Sequence, residues 1–240
     1  MSSGAPKPIT RAENHEQILA MLSPLPRGRI LDAPCGEGAL AIRLKEMGFD
    51  VACCDIDPAL FKLEDLAVQY AELNLGKVPF EDESFDYVAS VNGLHRLWNP
   101  ANAIKEYARV LKPGGTLVCS IPNYAHISRR LRFLVTGGIA RNVSQLNVQQ
   151  VTDDPAAHYR STLLFAQIKH LMHGYGLSIV ALETARRKKS GLFYYPLALL
   201  IRLAALFSSG RDREAFCMER SNSNAVLLGS NHLYLRARKA

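Results

Sequence analysis

The stretch Arg29-Ile30-Leu31-Asp32-Ala33-Pro34-Cys35-Gly36-Glu37-Gly38 joins a short apolar run to a tight turn. RILDA has the length and composition of a buried strand. Beyond PCGEG, the apolar residues Leu40, Ala41, Leu44 and Met47 recur at helical spacing until Gly48. DVACCD (residues 50–55) reads as a second strand, and Pro58 opens a further helix at the first-turn position, where its missing N–H is harmless. Strand, helix, strand, helix in succession predicts a parallel sheet covered on both faces.

Working outward, the alternation continues through FDYVASV (85–91), a helix over about 100–111, the turn Lys112-Pro113-Gly114-Gly115 and a strand at 116–121. Upstream, Thr10-Arg11-Ala12-Glu13 has the form of a capping box and opens a helix carrying Ile18, Leu19 and Leu22, which Pro24 and Pro26 end. Downstream the rhythm breaks for nearly forty residues. It resumes with a helix over about 161–175 and a strand at 177–184, breaks again over 185–230, and closes on the strand HLYLRAR (232–238). The expected fold is α/β, with a doubly wound, mostly parallel sheet. One domain is expected over 1–240, with a core at 10–122 and two inserts, 123–160 and 185–230, forming a cap.

Composition bounds the class. At 240 residues, 48% hydrophobic and 21% charged, the chain holds enough apolar surface to offset the entropy of ordering, which excludes a disordered or low-complexity protein. The net charge of +7 is unevenly placed: residues 1–120 hold 12 basic and 16 acidic side chains, and 121–240 hold 17 and 6. An anionic partner is therefore sought in the second half. Five cysteines, Cys35, Cys53, Cys54, Cys119 and Cys217, are odd in number and form no C-x-x-C pair. With no export signal at the N-terminus, they point to reduced thiols in a cytoplasmic protein. The apolar run 192–207 is interrupted by Pro196 and Arg202 and is shorter than the roughly 20 residues of a spanning helix.

Gly36-x-Gly38-x-x-Ala41 between a strand and a helix is a nucleotide-type loop, where missing side chains let a ligand approach the backbone. Asp55, nineteen residues after Gly36 at the end of the second strand, is placed to accept hydrogen bonds from ribose hydroxyls. These two features fit a dinucleotide oxidoreductase equally well. No constellation with metal-ligand spacing is singled out.

Four segments in order resemble the class I S-adenosylmethionine-dependent methyltransferase family of small-molecule type: ILDAPCGEG, VACCDIDP, AELNLGKVPFEDESFDYV and EYARVLKPGGTLVCSIPN, all within residues 29–123. The PF-x-D-x-SFD-x-V and R-V-LKPGG-x-L segments have no counterpart in a dinucleotide fingerprint. The resemblance implies a Rossmann-like, doubly wound seven-stranded sheet, mostly parallel with an antiparallel last strand near one edge, and S-adenosylmethionine as cofactor. It assigns Asp32, Ala33 and the Gly36–Gly38 loop to the methionyl end, Asp55 and Ile56 to the ribose side, and Glu72-Leu73 to the adenine. Glu72 stands where the family has Asp, and Asn74 is the alternative. Ser90, Val91 and Asn92 would line the reactive face.

One departure bears on catalysis. Where relatives with the SFD segment read Glu-His-Leu-x-x-Pro, this chain reads His95-Arg96-Leu97-Trp98-Asn99-Pro100. His95 is a candidate general base, since imidazole titrates near neutrality, with Tyr124 and His158 as the other candidates. The altered box also keeps open a non-catalytic, cofactor-binding relative.

The expected acceptor is a small or amphiphilic metabolite, a quinone-, lipid- or glycan-pathway intermediate, methylated on oxygen. Basic residues beside apolar ones at 127–135 and 186–207 indicate peripheral contact with the inner face of a membrane, against a lid or dimer face as the plainer reading. An RNA methyltransferase is the alternative. No RNA-recognition, zinc or helix-turn-helix signature favours nucleic acid. Oligomeric state is not legible.

Overall fold

A computed structural model describes residues 5–139, 160–185 and 193–240. The seven strands are β1 (Arg29–Asp32), β2 (Asp50–Asp55), β3 (Val68–Tyr70), β4 (Phe85–Val91), β5 (Leu111–Pro122), β6 (Leu177–Glu183) and β7 (His232–Lys239). They form one sheet in the order β3-β2-β1-β4-β5-β7-β6. β1 through β5 pair parallel, whereas β7 runs antiparallel between β5 and β6. Strand order reverses between β1 and β4, so the crevice beyond their carboxyl ends is the topological switch point.

The two sheet faces bury separate cores. One packs Leu31, Val88, Leu117 and Leu235 against Ile104 and Tyr107 of α3 (Pro100–Val110) and Ile168 and Met172 of α5 (Phe165–Gly174). The other packs Ile30, Cys53, Ala89 and Val118 against Ile18 and Leu22 of α1 (Ala12–Leu22) and Ala41 and Leu44 of α2 (Ala41–Glu46). Alternate residues of β1 and β4 serve opposite faces, the period-2 geometry that a doubly covered strand requires. A third cluster, Ile127, Ala198, Leu227 and Leu228, joins α4 (Ile127–Thr136), α6 (Tyr195–Leu206) and α9 (Asn224–Leu227).

Four local expectations are corrected. Pro58 opens a single 3₁₀ turn, Pro58–Leu60, rather than a helix, so β2 and β3 are joined by extended chain. The Thr10 capping box does not form: Arg11 is the N-cap, and Thr10 Oγ1 instead accepts from Asn14 Nδ2 and Asn92 Nδ2, both at 2.6 Å. These bonds, one from Asn14 in the first helical turn and one from Asn92 across the fold, occupy the hydroxyl in place of the cap. The helix after the glycine loop starts at Ala41, three residues later than the pattern implies. The second insert is helical where described, containing α6, α7 (Gly210–Ala215), α8 (Met218–Ser221) and α9.

The PFED and RVLKPGG segments are tied together by Arg109. Its guanidinium bonds both oxygens of the buried Glu106 carboxylate (2.7–3.1 Å), Asp82 Oδ1 (2.6 Å) and the Phe80 and Val78 carbonyls, while Glu106 Oε2 also accepts from Val78 N. This network closes the loop that feeds β4.

Candidate active site

At the switch point, β1 ends on Asp32 and β2 on Asp55, both buried. Asp55 Oδ2 accepts the Gly36 N–H at 2.7 Å and Oδ1 that of Asp57 at 3.1 Å. The carboxylate thereby anchors the loop 33–38 against its own strand end. Gly36 and Gly38 hold φ of +52° and +90°, left-handed conformations that an L side chain resists. A Cβ at Gly36 would lie 2.7 Å from the Ile9 tip, and one at Gly38 2.9 Å from Phe61 and Leu63. These three apolar side chains come from the N-terminal segment and from the chain after β2.

Asp32 has a different environment. Its Oδ2 is buried and has no hydrogen-bond partner among the described residues. Burial, then the neighbouring Asp55, push its carboxyl well above the usual range, against a backbone N–H bond from Ala41. A buried carboxyl with an open oxygen beside a second carboxylate is a ready receptor for a cation.

The loop is braced from below. Tyr107, fully buried, donates its hydroxyl to the Ala33 carbonyl at 2.8 Å and lies 3.2 Å from Ser90 Oγ. Ser90 therefore points into the core rather than toward the crevice. Gly93 packs on Pro34, where a Cβ would come within 2.4 Å of the proline ring. Val91 is half-buried at the strand end, and Asn92, at φ +53°, donates its backbone N–H to Ser120 Oγ and its side-chain amide N–H to Thr10 Oγ1.

The other assignments separate. Ile56 is exposed beside Asp55. Glu72 closes its own turn, its two oxygens accepting from Asn74 N and Nδ2 and from Leu75 N, each at 2.8 Å. Leu73 is buried in the α3-side core. Asn74 bridges to Asn99 through its side-chain oxygen and its carbonyl.

His95 lies on the 3₁₀ turn Leu94–Arg96 directly after β4; it is 6% exposed, and its Nδ1 has no partner among the described residues. Burial first, then Arg96, Arg160, His232 and Arg129, push its pKa down to about 3, so the ring is neutral at ordinary pH. Tyr124, two residues past β5, is buried beneath the Arg129 guanidinium at 5.1 Å from its ring centre. His158 lies outside the described residues. Arg129 and His232 were not legible as neighbours of His95, because nothing local in the sequence brings them together; Arg96 is its chain neighbour in the altered box.

Two hollows, about 670 and 600 Å³, are lined by residues at the starts of β1, β4 and β5 and at the end of β7, including Arg29, Phe80, Asp86 and Gly114. They lie at the opposite sheet edge from both carboxylates. The crevice at the carboxyl ends is the candidate site because ligand-competent groups converge there. Among the described residues, no group of three or more His, Cys, Asp or Glu side chains is placed to hold a metal ion.

Comparison with known proteins bears on family and fold. Residues 31–119 match a methyltransferase domain family. An uncharacterized methyltransferase of Mycobacterium tuberculosis is 38% identical over 104 residues, 42% of each chain. The demethylmenaquinone methyltransferase of Bacillus cereus is 30% identical over 115 residues, 43% of this chain and 48% of that protein. The matches thus span less than half the length of these curated relatives. A crystal structure of an S-adenosylmethionine-dependent methyltransferase from Archaeoglobus fulgidus superposes with a TM-score of 0.58, covering 94% of both chains at 16% identity, which shows a shared fold.

Proposed function

We propose, from the premise that this chain belongs to the class I S-adenosylmethionine-dependent methyltransferase family, that it transfers a methyl group to an oxygen of a small or amphiphilic acceptor. The observation that carries the reading is the buried Asp32 with its open oxygen, set beside Asp55 and the left-handed glycine loop. That donor set fits S-adenosylmethionine: acidic groups for a cationic amino acid end and a ribose, and bare backbone between them. When bound, the cofactor supplies a methyl group already activated on a sulfonium.

In this reading Asp32 receives the cofactor's ammonium end, which relieves the unpaired carboxyl. Asp55 keeps the Gly36 N–H and uses its remaining lone pairs for the ribose hydroxyls. Ile56, Phe61 and Leu63 offer apolar contact, and Glu72 and Asn74, whose side chains bond each other in the turn, both stay proposed for the adenine side. Val91, Asn92 and His95 form the floor between cofactor and acceptor. Because the leaving group is activated, alignment supplies most of the rate, and a base is needed only for a protonated acceptor. His95 and Tyr124 remain the residues proposed for that role.

The acceptor side is assigned to the segments 123–160 and 185–230. Peripheral contact with an anionic membrane is proposed through α4 and α6, supported by an exposed apolar face. Phe133, Leu134 and Val135 on α4, and Leu199, Leu200, Leu203 and Leu206 on α6, with Phe207 beside them, are each at least 47% exposed. Arg132, Arg211 and Arg213 lie exposed on α4 and α7. Arg130 and Arg202 do not join them, since both bond the Asn222 region and fix α4 and α6 to α8 and α9. No helix among the described residues is long and apolar enough to cross a membrane.

The test is methyl labelling. Wild-type protein with methyl-labelled S-adenosylmethionine, incubated with metabolite and lipid extracts, is expected to yield a labelled product by mass spectrometry that Asp55→Ala fails to make. Label in RNA alone would reassign the acceptor. Absence of label from every fraction, with intact cofactor binding, would favour a non-catalytic relative.

A further inference from the structure

Three strand ends deliver guanidiniums and imidazoles to one place beside the candidate site. The turn after β4 brings His95 and Arg96, the first turn of α4 after β5 brings Arg129, and the first residue of β7 is His232, whose register partner is Pro122 at the end of β5. Arg129, Arg160, Arg96 and His232 all act on His95 electrostatically, and Arg11 acts on His232.

These charges are poorly compensated. A guanidinium carries five donors and no acceptor, so burying one without an anion is costly. Arg96 Nε is buried with no hydrogen-bond partner among the described residues. Burial lowers the pKa of Arg96 and of Arg129. None of the ion pairs among the described residues includes Arg11, Arg96 or Arg129. The carboxylate that acts on Arg96 is Asp55, already committed to the Gly36 and Asp57 N–H groups. Elsewhere half-buried guanidiniums are satisfied, Arg109 by Glu106 and Asp82 and Arg130 by Ala125 O, Asn222 Oδ1 and Ser221 O. Here the unfilled valence is the second feature, beside the nine-tenths-buried His95 whose Nδ1 also lacks a partner among the described residues.

We propose that Arg96, Arg129 and His232, around the His95 imidazole, receive a phosphate group carried by the methyl acceptor. A carboxylate offers one charge in one plane. A phosphate monoester offers close to two charges and oxygens in three directions, which suits two guanidiniums and a neutral imidazole donor delivered from three separate strand ends. The anion also restores basicity to His95, whose ring is neutral among these cations, and so couples acceptor binding to the proposed proton acceptor. The assignment rests on the methyltransferase reading, since it takes this pocket as the acceptor's.

Calorimetric titration of the full chain with inorganic phosphate, against acetate at equal ionic strength, tests it, with and without S-adenosylhomocysteine. Phosphate is expected to bind wild type, at least ten-fold more weakly to Arg96→Gln and Arg129→Gln, and unchanged to the exposed control Arg211→Gln. Arg129→Gln should keep wild-type affinity for S-adenosylhomocysteine, which reports that it folds. Phosphate binding no better than acetate, or equal in wild type and both pocket variants, overturns the proposal. Displacement of phosphate by glycerol 3-phosphate places the group on a soluble acceptor, and displacement by phosphatidic acid in phosphatidylcholine vesicles places it on a lipid. Displacement by neither leaves an adventitious ion only and overturns the assignment. Wild type that binds S-adenosylhomocysteine but not phosphate refutes this pocket alone. Wild type that binds phosphate but not S-adenosylhomocysteine refutes the cofactor reading and the acceptor role with it.

Discussion

The Asp55 carboxylate reaches back nineteen residues to accept the Gly36 N–H at 2.7 Å, so the end of β2 holds the loop that leaves β1. One side chain thus sets the loop and supplies a proposed ribose contact. Asp55→Ala should reduce affinity for S-adenosylhomocysteine at least 100-fold, as expected for the loss of about 3 kcal/mol in charge-assisted bonds. Asp55→Asn, which keeps one acceptor oxygen, should fall between. Calorimetry giving equal affinity for all three proteins would remove the cofactor from this crevice.

Asp32 is expected to weaken the empty protein and serve the loaded one. Its folded pKa is raised, so its proton is held more tightly folded than unfolded. That contribution favours the fold at acid pH and fades as pH climbs above the unfolded value near 3.8. Asp32→Asn should therefore raise unfolding stability at pH 7 by about 1 kcal/mol or more while abolishing S-adenosylhomocysteine binding. Denaturant melts showing the variant less stable than wild type would contradict this account.

Arg109 joins the two segments that carry the family resemblance. Replacing it by alanine leaves the Glu106 carboxylate, 3% exposed, with only Val78 N as partner. A loss of about 3–5 kcal/mol is expected by urea denaturation. A change below about 1 kcal/mol would mean the network is incidental.

His95 and His232 make stability fall toward acid. Their folded pKa values are pushed down to about 3 and about 4, so both are neutral in the fold while the unfolded rings protonate near 6.5. The stabilisation is complete above pH 6.5 and is lost as pH falls toward 3–4. His95→Gln should flatten the stability-against-pH slope between pH 6.5 and 4 by roughly one proton. An unchanged slope would place the pH sensitivity in other groups.

The α4 and α6 face can be separated from folding. Leu200→Glu with Leu203→Glu, both on exposed positions, should cut sedimentation with phosphatidylglycerol vesicles at least ten-fold while shifting stability by no more than about 0.5 kcal/mol per site. Equal sedimentation of variant and wild type would return this face to the lid or dimer reading.

The sequence by itself determined the parallel sheet and the placing of Asp32, Asp55, Gly36 and Gly38 at strand ends and turn, because apolar runs and glycine turns are local signals written in consecutive residues, while the antiparallel last strand followed from the family resemblance. Only the tertiary structure decided where long side chains end. Thr10 leaves its capping box for Asn92, Glu72 turns back on its own loop, and Ser90 turns inward to Tyr107. The groups around His95 come from residues up to 137 positions away, and no local pattern brings 95 and 232 together. The strands converge on them through hydrogen-bond register across β4, β5 and β7, a relation fixed by the folded sheet.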